Sequence, residues 1–171
     1  MGWFALLIVL VALERFAELV VSRRNEQWSR EQGGVEFGAG HYPLMVLLHT
    51  GLLVGAIAEA AAGHRPFVPA LGWTMLGLVV GAQALRWWCI STLGTRWNTR
   101  VIVVPGGERI VRGPYRWFGH PNYVAVVIEG FALPLVHTAW ITAVVFTVLN
   151  AALLTVRIRV ENGALRSLVA A

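Results

Sequence analysis

The chain has 171 residues, 57% of them hydrophobic, with a mean hydropathy of +0.63 and a net charge of +5. That apolar content exceeds the roughly 45–50% of a soluble domain, which excludes an ordinary soluble fold and points to a single-domain, all-α integral membrane protein. The charge then belongs to loops between spans rather than to a nucleic-acid interface, and a lone Cys89 excludes an internal disulfide or a cysteine-based metal site.

A bilayer core of about 30 Å needs roughly 20 apolar residues per helix. Five stretches are therefore read as transmembrane helices, at about 2–21, 42–62, 67–93, 121–136 and 139–158, followed by a short C-terminal helix. Residues 1–21 lack a basic leader region and a small-residue cleavage site, so they read as the first span. Residues 1–66 then carry two spans, and 67–171 carry the functional core of one domain. Arg23, Arg24 and Arg30 follow the first span, and Arg96, Arg100, Arg109, Arg112 and Arg116 follow the third. Counting arginines on alternate sides places the N-terminus outside the cell membrane, with segment 94–120 and the C-terminus in the cytoplasm.

Several polar residues fall inside these spans. Glu14 and Glu18 are four apart on one helical face, with Arg15 about 100° round. Arg86 lies in the third span and Glu129 about two turns into the fourth. Intramembrane charges usually pair, so Arg86 is expected either to hold helices together through a glutamate or, with Glu14 and Glu129, to meet a substrate. His49 reads as a core histidine whose hydrogen bonds are met. Trp87, Trp88, Trp97 and Trp117 read as an aromatic belt at the interface.

Segment 94–120 is too polar to span. In "RVIVVPGGERIV" two apolar runs flank a turn signal, which predicts a hairpin capping the bundle on its cytoplasmic face. It leads into "GPYRWFGHPNYVAVVIEGFALPL". Pro121 fits the first turn of a helix, which puts His120 at the N-cap and Tyr123 within that turn. The free N–H groups of a helix start favour an anion. With Tyr115, Arg112 and Arg116 upstream, the ensemble fits a carboxylate or phosphate together with a flat ring, or else simple interfacial anchoring. The fifth span runs out as "RIRVENGAL". Arg157 and Glu161, four apart, share a face at the same boundary. They read as a solvated pair or as part of one site with His120.

The motifs "GPYRWFGHPNY" and, about thirty residues on, "RIRVENGAL" resemble the isoprenylcysteine carboxyl methyltransferase family. The likeness covers roughly residues 70–168. "ERFAELVVSRRNEQW" and "HYPLMVLLH" are similar to a bacterial branch acting beside type III polyketide synthases on alkylresorcinols or alkylpyrones. The resemblance implies S-adenosylmethionine as cofactor and a lipophilic small-molecule acceptor from the membrane, methylated on oxygen. It also implies a functional link to a type III polyketide synthase.

Carried over, His120, Pro121 and Tyr123 bind the cofactor, with Tyr115 and Arg116 beside them, and Arg157 and Glu161 stand where acceptor and cofactor meet. The family's pattern is broken at Gly119, where an arginine is common, and at Asn162, where a second glutamate is usual. No metal is needed for methyl transfer, and no metal-ligand spacing appears. Two other readings compete. One is an NADPH-dependent reductase of a sterol or polyisoprenoid using the same His120–Tyr123 segment, against which the Arg157/Glu161 pair stands. The other is a small carrier with Glu14, Arg86 and Glu129 along its path.

Overall fold

The computed structural model describes residues 1–169. Five long helices form: α1 (Gly2–Glu31), α2 (Tyr42–Ala62), α3 (Pro69–Leu93), α4 (Pro121–Leu135) and α5 (Trp140–Val169). Two three-residue strands, β1 (Val35–Phe37) and β2 (Val101–Val103), form an antiparallel ribbon. Among the described residues, three helical segments are long and apolar enough to cross a membrane: Ala39–Ala62, Pro69–Arg96 and Trp140–Ser167. Of the five expected spans, α1 carries Glu14, Arg15 and Glu18 along its length, and α4 has only 15 residues.

The starts of α2, α3 and α4 follow from proline in the first turn of each, where a missing N–H costs nothing. Helix α3 stops at Gly94, whose φ of +57° is a conformation that L side chains disfavour.

Two helices outrun the sequence-based bounds. Helix α1 continues ten residues past 21, through a polar stretch with no breaker before Gly33. It is supported by Glu26 bonding Arg30 at 2.7 Å and Gln27 donating to Glu31 at 3.0 Å, both at i,i+4. Helix α5 runs unbroken to Val169, so the separate short C-terminal helix does not exist. Asn162–Gly163 resembles a stop signal, but buried Ala164 packs with Leu165 against Val101, Val103 and Phe37, and this contact carries the helix through.

The expected hairpin in 94–120 is also corrected. Its turn is present: Gly107 N–H donates to the Val104 carbonyl at 3.2 Å and Gly106 takes φ +69°, as a Pro-Gly turn of type II requires. No strand returns from it. Instead β2 pairs with β1, in the register Val35↔Val103, Glu36↔Ile102, Phe37↔Val101. Ion pairs from Glu36 to Arg100 (2.6 Å) and to Arg30 (2.7 Å) reinforce the ribbon. The bond from Arg100 holds the Glu36 carboxyl below the usual carboxylate range.

The bundle has one apolar core and one small satellite. Phe4, Ile8, Val11, Ala56, Ala60, Val79, Leu133 and Val136 pack at the end where α1 begins. The ribbon and the last turns of α5 make the second cluster at the opposite, polar end. Between them lies a layer of buried polar side chains, including Glu18, Arg86, Glu129, Asn150 and Arg157.

Candidate active site

Two cavities lie at the polar end and share a wall. The first is a cleft of about 200 Å³ lined by the 96–110 segment, Tyr115, Gly119, His120 and the polar edge of α5. The second, about 400 Å³, lies deeper among α1, α2, α4 and α5 and is mostly apolar, with Leu53, Val126, Leu153 and Leu154 in its walls. Trp97, Asn98, Asn122, Tyr123 and Arg157 line both.

Arg157 is 5% exposed, yet no carboxylate forms an ion pair with it among the described residues. Its Nε donates to the Tyr123 hydroxyl at 2.8 Å, Nη1 lies 3.0 Å from the Met45 sulfur, and Nη2 donates to the Thr99 carbonyl. A thioether is a weak acceptor, so this buried cation is under-compensated on the side facing the larger cavity. Tyr123 passes the interaction on, donating its hydroxyl proton to Glu161.

Glu161 in turn faces His120, whose Nδ1 is 3.6 Å from a carboxylate oxygen, while His120 Nε2 lies 3.1 Å from Asn162 Oδ1. Interaction with Glu161 raises the His120 pKa above the ordinary histidine value, against the effect of burial. The imidazole stacks on Tyr123 at 5.3 Å and 20°. His120 occupies the N-cap of α4, but its side chain makes no capping hydrogen bond. Capping is therefore not what holds the ring in place. Burial raises the Tyr115 phenol pKa, so it stays protonated at neutral pH.

The arrangement depends on the part of α1 beyond the expected span. Ser22, Asn25 and Ser29 lie on one face at helical spacing, all buried. Ser22 Oγ accepts from Thr99 N–H at 2.9 Å, Asn25 Nδ2 donates to the carbonyls of Gly94 (3.0 Å) and Trp97 (2.7 Å), and Asn98 Nδ2 donates to Ser29 Oγ at 3.1 Å. These bonds fix segment 94–99 and aim the Thr99 carbonyl at Arg157. The signal in the sequence is a polar stripe at 22, 25 and 29.

Of the residues singled out from sequence, Tyr115, His120, Tyr123, Arg157 and Glu161 gather around the cleft. Arg116 does not line it; its side chain is exposed, as is that of Arg112. Pro121 is buried and starts α4 without lining the cleft. Cationic lining comes instead from Arg96, Arg100 and Arg109. Trp97 is buried at 4% exposure, so it is a wall of the site rather than part of a belt, whereas Trp87, Trp88 and Trp117 are exposed as a belt requires.

Arg86 pairs with Glu129 at 2.6 Å and lies 3.5 Å from Glu18. Arg15 joins the same cluster through Glu18 (2.7 Å) and Glu129 (2.5 Å). Arg15, Glu18, Arg86 and Glu129 line the larger cavity. Glu14 does not: it accepts hydrogen bonds from Gln83 and from Trp87 (2.6 Å), tying α1 to α3. His49 Nδ1 meets the Met45 carbonyl at 2.9 Å, as a core histidine would, yet it too lines the cavity.

The apolar helices, with a polar cleft backed onto an apolar cavity, define a membrane protein that can bring a polar ligand and a lipophilic one to a shared wall. The chain belongs to the isoprenylcysteine carboxyl methyltransferase (ICMT) family, whose model matches residues 75–167, which places it among the membrane methyltransferases. It is 40% identical over 164 residues to the uncharacterized protein YpbQ of Bacillus subtilis, covering 95% of this chain and 96% of that one. An uncharacterized protein of Haemophilus influenzae is 26% identical over 155 residues, 90% of each chain. Enzymes of the family typically use S-adenosylmethionine.

The cleft suits such a cofactor on its own chemistry. Asn98 Oδ1 and Asn122 Oδ1 are buried acceptors without a partner among the described residues, fit for an ammonium or hydroxyl donor. Arg96 and Arg109 suit a carboxylate, Arg100 being paired with Glu36, and the Tyr115 and Tyr123 rings suit a sulfonium.

Proposed function

We propose that the protein is an integral-membrane, S-adenosylmethionine-dependent O-methyltransferase. Its acceptor is a lipophilic molecule with an acidic oxygen: an alkylresorcinol- or alkylpyrone-like phenol or enol, or an isoprenylcysteine-type carboxylate. The observation that carries this is Arg157, a buried guanidinium without a carboxylate partner, in the wall between a polar cleft and an apolar cavity.

In this reading the cleft holds the cofactor and the cavity holds the acceptor. Tyr115, His120, Asn122 and the cleft arginines bind the cofactor, which supplies a methyl group on a sulfonium. Arg157 holds the acceptor oxygen as an anion at the shared wall, and alignment with exclusion of water does most of the catalysis. A carboxylate or acidic enol arrives ionised and needs no base. A phenol with a pKa of about 10 must lose its proton, and the Tyr123–Glu161 hydrogen bond gives that proton a route toward His120 and the cleft.

Helices α1 and α4 lie in the bilayer with the three apolar spans, making five. The many exposed apolar side chains of α1, among them Leu6, Leu10, Leu13 and Phe16, support this. The arginine bias supports an N-terminus outside, with segment 94–120 closing the cleft from the cytoplasm. A type III polyketide synthase upstream would supply acceptors of this class.

The test is calorimetric titration of the purified protein with S-adenosylhomocysteine and, separately, with NADPH. Methyl-transfer assays on an alkylresorcinol, an alkylpyrone and S-farnesylcysteine follow. Binding of S-adenosylhomocysteine alone and methylation of at least one acceptor are expected. Binding of NADPH without S-adenosylhomocysteine would replace this reading with a reductase.

A further inference from the structure

The larger cavity has polar groups at both ends, and methyl transfer uses only one. Tyr123 and Arg157 stand at the cleft end. Glu129 lies six residues further along α4 and Asn150 seven residues back along α5, which puts them roughly 9–10 Å deeper at 1.5 Å per residue. There the lining includes Arg15, Glu18, Arg86, Glu129, His49 and Asn150. An alkyl tail lying against these groups would strip their water and return no hydrogen bond.

Three observations point to a ligand at this floor. Asn150 is only 2% exposed, and its Oδ1 has no hydrogen-bond partner among the described residues. Glu18 Oε1 and Arg86 Nε, 3.5 Å apart, are both buried and likewise have no hydrogen bond among the described residues. His49 places Nδ1 on the Met45 carbonyl and lines the same floor. The charges at the floor are balanced, two arginines against two glutamates already paired with one another. A further ion would unbalance them, whereas an uncharged donor and acceptor would satisfy the open positions.

We propose that the acceptor is a bipolar lipid. Its acidic oxygen sits at Arg157, and a second, uncharged hydrogen-bonding group (hydroxyl, carbonyl or amide) seats about 9–10 Å deeper against Asn150, His49 and the Glu18 side of the ion cluster. The proposal rests on the reading above in taking Arg157 as the anion end of the acceptor site. It makes the floor of the cavity the part that selects among lipids of one head group.

The test uses the full chain in lipid nanodiscs with S-adenosylhomocysteine present. Octadecanoic acid and its monohydroxy isomers, hydroxylated at successive positions, are the probes, and affinity is read by calorimetry without any methyl transfer. One mid-chain position is expected to bind about tenfold more tightly than the unsubstituted acid, the worth of one good hydrogen bond. Asn150→Leu should abolish that preference and leave the affinity of the unsubstituted acid unchanged. His49→Leu, checked like Asn150→Leu for helical content and a monodisperse profile, should weaken the preference in the same way.

Isomers that all bind within about twofold of the parent acid, or a preference that survives both substitutions, would overturn the proposal. The two readings fail separately. A positional preference without methylation of any acceptor keeps the bipolar site and removes the methyltransferase reading. Methylation with no positional preference does the reverse.

Discussion

Arg86 and Arg157 are both buried, at 4% and 5% exposure, and both line the same cavity, yet their surroundings differ in kind. Arg86 sits in a charge-balanced cluster with Glu129, Glu18 and Arg15. Arg157 is held by a phenol, a backbone carbonyl and a thioether, and its nearest carboxylate interaction runs through Tyr123 to Glu161. A buried cation already matched by carboxylates serves the packing of helices. One matched only by neutral groups has capacity left for an anionic ligand. The proposed division between a structural Arg86 and an acceptor-binding Arg157 rests on this contrast, since burial and residue type are the same.

Breaking the structural arginine should have the largest effect on stability. Arg86→Ala leaves Glu129 and Glu18 with only Arg15 between them, a loss of about 3–5 kcal/mol for a broken buried pair. A thermal midpoint in detergent close to wild type would show that the cluster is not what holds α1, α3 and α4 together.

Arg157→Ala should invert that pattern. No buried carboxylate loses its direct partner, so the midpoint stays nearer to wild type than in Arg86→Ala. Methyl transfer drops by about 10²–10³-fold, the usual cost of removing a donor aimed at the reacting oxygen. Equal activity of Arg157→Ala and wild type on a responsive acceptor would erase the distinction between the two arginines.

A smaller effect sharpens the cofactor side of the comparison. His120→Ala should weaken S-adenosylhomocysteine binding by about 1–2 kcal/mol, on the order of tenfold, with little change for the acceptor. A lowered midpoint with unchanged cofactor affinity would make the imidazole purely structural.

The smallest effect is on pH dependence. Because Glu161 raises the His120 pKa in the folded protein, the folded state holds that proton more tightly than the unfolded chain. The stabilisation is full below about pH 6.5 and is lost as the pH rises through the raised value. Midpoints of wild type and His120→Ala measured from about pH 6 to 9 should therefore converge with rising pH. A constant difference would mean that the Glu161 contact does not depend on the charge of His120.

Features that depend on neighbours a few residues apart are legible in the amino-acid order alone. Hydrophobic runs of span length gave the places of the five helices. Proline in the first turn placed the start of α4 and put His120 at its N-cap. The i,i+4 spacing put Arg157 and Glu161 on one face, and the motifs around them pointed to the family. Polar helix extensions leave no such mark, because a helix bonded through its own backbone needs no apolar stripe to continue, as residues 22–31 show.

Tertiary structure alone decided the rest. It paired β2 with a strand more than sixty residues away rather than with its neighbour in sequence. It put Tyr123 between Arg157 and Glu161, buried Trp97 in the wall of the site, and turned Ser22, Asn25 and Ser29 into the anchor for Thr99. It also gave Arg86 its carboxylates and left Arg157 without one. Periodicity reports which face of an element a side chain occupies; which element packs against that face is set by burial and hydrogen bonding between distant segments, and that depends on the whole bundle at once.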